Sequence, residues 1–226
     1  MKITSAAILT VALPLALAAQ QPAGDPANPM TTVFRGRIVA MHNNIARAFD
    51  SIPESKFSYK PTPAQLTIGY IAQHVASDNY FFCNNFGAMK PNLTAEDTAT
   101  ADSVKAKWPK AKLVSKLKDS FTFCQSALGQ LNDASLAETI TLTFGTQSQQ
   151  RPRVSMVLGH ALDLADHYSQ LANYMRLNNI LPPTAATCCS AACSSRAGCS
   201  DRPDRAHAQA PCSRAVRSST GHRTSS

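Results

Sequence analysis

Residues 160–183, HALDLADHYSQLANYMRLNNILPP, decide how this chain is read. His160, Asp163 and His167 stand at i, i+3 and i+7, which places them along one stripe of a helix with 3.6 residues per turn. Pro182 and Pro183 stop that helix. Aspartate and neutral imidazole both ligate divalent metals. The stripe is therefore half of a candidate metal site, to be completed by a side chain from another helix.

Working outward, the helix is expected over residues 153–178, and three others precede it. The first spans about residues 31–51, with Phe34, Ile38, Met41, Ile45 and Phe49 on one stripe and Ile52-Pro53 as its end. His42, beside Met41, is read as a surface residue. The second spans about residues 65–86, with Ile68, Ile71, Val75 and Phe82 inward. Residues 90–100 read as a loop. The third helix spans about residues 110–131, with Leu113, Leu117, Phe121, Cys124 and Leu128 on one face. Residues 132–150 form a longer connection in which 139–144 is locally extended. Four amphipathic helices of this length predict an all-α fold, an antiparallel or crossover four-helix bundle over residues 29–183.

The two ends differ from this body. Lys2, the apolar stretch of residues 6–17 and Ala16-Leu17-Ala18 have the parts of a secretory signal peptide, taken as residues 1–18. The run is short for a membrane span, although an uncleaved anchor is the alternative. The mature protein is thus expected in the periplasm or outside the cell, with no transmembrane segment. Residues 184–226 carry Cys188, Cys189, Cys193, Cys199 and Cys212 among Ser, Ala and Arg, with no Leu, Ile, Met, Phe, Tyr or Trp. Such a segment cannot bury an apolar core and reads as disordered. No C-x2-C pair supports a zinc site there. A disulfide-rich appendage and an out-of-frame translation are the two readings of it. The net charge of +8 is spread too widely to argue for nucleic acid.

A partner for the stripe is His74, three residues after Ile71 and one before Val75, at the inner face or core edge of the second helix. Asp163 and His167 are one turn apart and can share an ion, with His160 one turn further. Three protein ligands and an open position are the pattern of a catalytic rather than a structural site. The bland reading of His74 is a hydrogen-bonded core histidine. A carboxylate-bridged di-iron bundle is excluded, because Glu54, Glu96 and Glu138 are the only glutamates and none precedes a histidine by three. No Gly-x-Ser-x-Gly, His-Glu-x-x-His or phosphate-binding loop is present. Cys83 and Cys124, each set among aromatic residues, are candidates for a disulfide in an exported protein; two buried free thiols are the alternative.

The segments PTPAQLTIGYIAQHVA and DHYSQLANYMRLNNILPP, with the FFC and SFTFC pair, resemble the DinB/YfiT-like family of bacterial four-helix-bundle proteins, and a secreted branch of it. The resemblance covers about residues 34–183. It implies a divalent metal, zinc or nickel, bound by one histidine of the second helix and two residues spaced i and i+4 on the last. Carried over, His74 and His167 match, while Asp163 stands where the family has histidine and Ser169 where it has glycine. His160 is the reserve ligand. The resemblance also implies thiol-dependent transferase or isomerase chemistry on a small-molecule substrate that the residues do not identify, with a homodimer as a candidate assembly. The rival readings are a non-catalytic binding or stress-related bundle with a degenerate site, and a hydrolase-like use of metal-bound water.

Overall fold

Four long helices dominate the computed structural model, which describes residues 25 and 27–185. They are α1 (Pro29–Ser51), α2 (Ile68–Cys83), α5 (Lys110–Gly129) and α7 (Val154–Leu177). Short helices α3 (Ala95–Ala99), α4 (Asp102–Lys105) and α6 (Asp133–Leu136) and the strands β1 (Thr139–Phe144) and β2 (Gln147–Pro152) lie in the connections. The expected signal peptide and the five C-terminal cysteines fall outside the described residues.

The main packing runs around a ring, α2 on α5 and α7, and α1 on α7 and α5. Directions follow from the residues that meet. Arg35 reaches Leu128 while Asp50 pairs with Lys118, so α1 and α5 are antiparallel. Asn79 meets Ser120 and the Ala88 amide bonds Gln130, so α2 and α5 run the same way. His74 meets His167 and Cys83 meets His160, so α2 and α7 are antiparallel. The order is therefore up, down, down, up, the crossover form of the bundle. Ile38, Ile45, Phe49, Ile71, Val75, Leu117, Leu164 and Leu171 fill the interior at 0–1% exposure.

Local chemistry fixes the helix ends. The Asp133 carboxylate accepts from the Met30 and Thr31 amides at 3.0 and 2.7 Å, holding the positive end of α1 against α6. The Thr67 hydroxyl accepts from the Tyr70 amide at 3.1 Å and starts α2 three residues later than the expected 65. At the far end of α7, Asn179 takes the left-handed φ of 58°. The Ile180 amide then donates to Met175 and the Asn179 amide to Arg176, a Schellman closure just ahead of the two prolines.

Two expectations are corrected. Residues 90–100 are not simply a loop, because Thr94 and Asp97 form a reciprocal capping box that builds α3. His42 is not on the surface; it is 1% exposed and stacked on Phe121, with ring centroids 4.2 Å apart. The extended segment 139–144 pairs antiparallel with β2, and Gly145 supplies the positive φ of the two-residue turn. Among the described residues, no helix is long and apolar enough to cross a membrane.

Candidate metal centre

Two one-turn pairs face each other across the α2–α7 contact. His74 and Asp78 are spaced i, i+4 on α2, and Asp163 and His167 are spaced i, i+4 on α7. Because the helices are antiparallel, His74 comes beside His167, the rings edge to face with centroids 4.9 Å apart. Asp78 Oδ2 stands 3.2 Å from His74 Nε2 and 3.7 Å from His167 Nε2. Asp163 Oδ1 lies 3.4 Å from the same His167 Nε2. Donor atoms of His74, Asp78 and His167 all fall within 4.8 Å of one another. The pair lies at the bundle's edge, with the His74 side chain 34% exposed and that of His167 10%.

Two readings of the contact fit these separations. Charge-assisted N–H···O bonds shorten to about 2.7–2.9 Å. Ligands at about 2.0–2.1 Å from a tetrahedral ion stand about 3.3 Å apart. The observed 3.2–3.7 Å spacings are longer than the first figure and near the second, for the His167–Asp163 pair as for those of Asp78. Asp163 Oδ2 is also buried without a hydrogen-bond partner, an acceptor unspent beside the group. The donor set of two imidazoles and a carboxylate, open on one side, fits a divalent transition metal.

Electrostatics adds a condition. Hydrogen bonds to Asp163 and then Asp78 raise His167 to about 10, against the opposing effect of burial. Without a cation His167 is therefore an imidazolium at neutral pH, and an ion that takes its nitrogen must displace a proton.

Of the residues singled out in the sequence, His74 and His167 are brought together. Asp163 touches the group only through His167, and His160 lies elsewhere. It is buried in the core with His42 and the bonded pair Cys83–Cys124, whose Cα atoms are 5.2 Å apart. Asp78 is the converging carboxylate that the sequence reading missed. Its signal was the His74-x3-Asp78 spacing, which mirrors Asp163-x3-His167 on an antiparallel neighbour.

A cavity of about 670 Å³ lies beside the group, lined by Phe57, Leu66, Tyr70, Trp108 and Lys110. It touches the donors only through Tyr70, whose ring is 5.8 Å from that of His74. A second, of about 330 Å³, includes Gln73 and Ser77 on the neighbouring face of α2.

The family model of the DinB superfamily matches residues 37–171, more than half of the chain and both one-turn pairs. The chain belongs to the DinB superfamily. This DinB chain shares its fold with a crystal structure of a DinB-like protein from Bacillus cereus ATCC 10987. The TM-score is 0.52 at 14% identity, over 66% of this chain and 93% of that one. It is similar also to the mycothiol-dependent maleylpyruvate isomerase, with a TM-score of 0.50 at 14% identity over 62% of this chain and 60% of that one. At such identities the likeness is one of fold. No curated protein matches the chain.

Proposed function

We propose that this DinB protein binds one divalent metal between α2 and α7 and uses it in transfer chemistry on a small-molecule substrate, outside the cytoplasm. The observation that carries the reading is the convergence of His74 Nε2, His167 Nε2 and the Asp78 carboxylate at 3.2 and 3.7 Å. His74, Asp78 and His167 would hold the ion. Asp163, whose Oδ1 faces the same His167 Nε2 at 3.4 Å, would carry part of the balancing charge. Zinc and nickel are the ions that the family resemblance suggests. When bound, such an ion favours the deprotonated, nucleophilic form of a thiol or a water. The similarity to a mycothiol-dependent isomerase supports a thiol as the small ligand. His74 borders the open side, so substrate would approach past Tyr70. The N-terminal apolar stretch and the Cys83–Cys124 bond support an oxidising compartment.

A second reading has its own support. The His167 cation between Asp78 and Asp163 is a self-sufficient ion-pair cluster, suited to a non-catalytic bundle with a degenerate site. Elemental analysis decides between them. After incubation with zinc or nickel and desalting, the proposal expects close to one equivalent, lost in His74→Ala and His167→Ala. Less than about a tenth of an equivalent in the folded wild type would leave only the ion-pair reading.

A further inference from the structure

The bundle interior holds a second group of ligand-type side chains that the proposed function does not use. His42 of α1, Cys83 of α2, Cys124 of α5 and His160 of α7 meet at the centre, one from each long helix, all at 0–1% exposure. His160 Nδ1 lies 3.9 Å from Cys83 Sγ and its Nε2 lies 3.9 Å from Cys124 Sγ. Donor atoms of His42, Cys124 and His160 fall within 4.8 Å of one another.

Two features set this group apart from an ordinary packed core. Both nitrogens of His42 are buried without any hydrogen-bond partner, a costly arrangement for an imidazole that only packs. His160, in contrast, is oriented. Its Nε2 pairs with Asn79 Oδ1 at 2.8 Å, and the Asn79 amide donates to Ser120 Oγ at 2.8 Å. Asn79 Oδ1 is an acceptor, so Nε2 carries the proton and the Nδ1 lone pair is left on the Cys83 side. Histidines that ligate metals characteristically donate their second N–H to such an acceptor. Burial holds both rings in the neutral, ligating form: His42 is pushed down to about 3, as is His160, where proximity to His42 adds to burial.

We infer that reduction of the Cys83–Cys124 bond converts this core into a closed Cys2His2 zinc site formed by His42, Cys83, Cys124 and His160. A dithiol reductant supplies two electrons and two protons, breaks the S–S bond and leaves as its own cyclic disulfide. The zinc ion then displaces the two thiol protons to solvent and takes two thiolates and two neutral imidazoles, so the site is uncharged. Zinc–sulfur and zinc–nitrogen bonds of about 2.3 and 2.05 Å put S···N at about 3.6 Å and S···S at about 3.8 Å. The 3.9 Å from Cys83 Sγ to His160 Nδ1, the free ring nitrogen, is already close to that, and Cys124 Sγ must part from Cys83 to take its place around the ion. The protein thus holds its core by a covalent bond under oxidising conditions and by an ion under reducing ones.

The test uses the full chain carrying His74→Ala and His167→Ala, which removes the exposed site and keeps failure of the two readings distinguishable. Zinc uptake is measured by competition with a chromophoric chelator, oxidised and after refolding under a dithiol. Five further cysteines lie in residues 184–226, so the readout is the difference from the same chain with Cys83→Ala and Cys124→Ala. One further equivalent in the reduced parent is expected, and a melting temperature that zinc raises only there. His42→Phe, which keeps the stack on Phe121, should lose that equivalent. Should His42→Phe not fold, X-ray absorption of the reduced parent at one equivalent decides. Two sulfur and two nitrogen neighbours support the site, and an all-sulfur shell overturns it. Equal uptake by parent and double-alanine chain also overturns it.

Discussion

Reducing the Cys83–Cys124 bond in a metal-free solution should lower the melting temperature sharply. The bond closes a loop with a sequence separation of 41. Chain-closure entropy for such a loop is about −2.1 − 1.5R ln 41, or about −13 cal/mol/K, which at 298 K is worth about 4 kcal/mol. A domain of about 150 residues has an unfolding entropy of about 0.3 kcal/mol/K, so the loss corresponds to about 12 °C. Reduction removes no atoms and leaves no cavity. In the bonded state Cys124 Sγ lies 3.3 Å from the Asn79 carbonyl and Cys83 Sγ 3.9 Å from His160 Nδ1, so each freed thiol has an acceptor close by. The assay is a thermal melt by circular dichroism with chelator present, with and without a dithiol, and thiol state checked by mass spectrometry. A shift under about 3 °C with both thiols demonstrably free would refute the chain-closure argument.

Three other outcomes follow from the geometry. Asp78→Ala should weaken zinc binding more than about 100-fold, as loss of a direct ligand, and Asp163→Ala less than that, as loss of a balancing charge beside His167 Nε2; titration with a competing chelator measures both. Asp97 is raised by partial burial but held down more strongly by Lys116 and Thr94, to about 2. Its folded pKa lies below the unfolded value, so its contribution is fully present above about pH 5 and fades as pH falls toward 2. Lys116→Met should flatten the acid side of a denaturant-midpoint-versus-pH profile in that window. Gly69→Ala would drive a methyl into the Ala106 carbonyl, with the Phe57 carbonyl 3.3 Å away, and should cost about 1–3 kcal/mol in urea unfolding.

Most of the bundle was legible because its apolar stripes are long and regular. Ile38, Ile45 and Phe49 on α1, and Leu113, Leu117, Phe121 and Leu128 on α5, face the core as their spacing requires. His42 was misplaced although it lies four residues after Ile38 and three before Ile45, on the same stripe. Polarity outweighed position in that reading, yet burial that pushes the ring to about 3 makes it a neutral core residue. The candidate metal centre was half legible. His74 and His167 could be paired from the two helices, but choosing between carboxylates needed the relative direction of α2 and α7. Antiparallel packing sets Asp78 next to both rings, while Asp163 reaches one. Helix direction depends on long-range crossovers, on which local periodicity is silent. The short helix α3 depended on a capping box, a signal carried by two residues rather than by a repeat.

The most direct test of the central claim is an anomalous-difference map from crystals grown with zinc or nickel. The account predicts one strong peak between α2 and α7, about 2.0–2.2 Å from Nε2 of His74, Nε2 of His167 and a carboxylate oxygen of Asp78. A map with no peak there, and His167 drawn into short hydrogen bonds with Asp78 and Asp163, would contradict it.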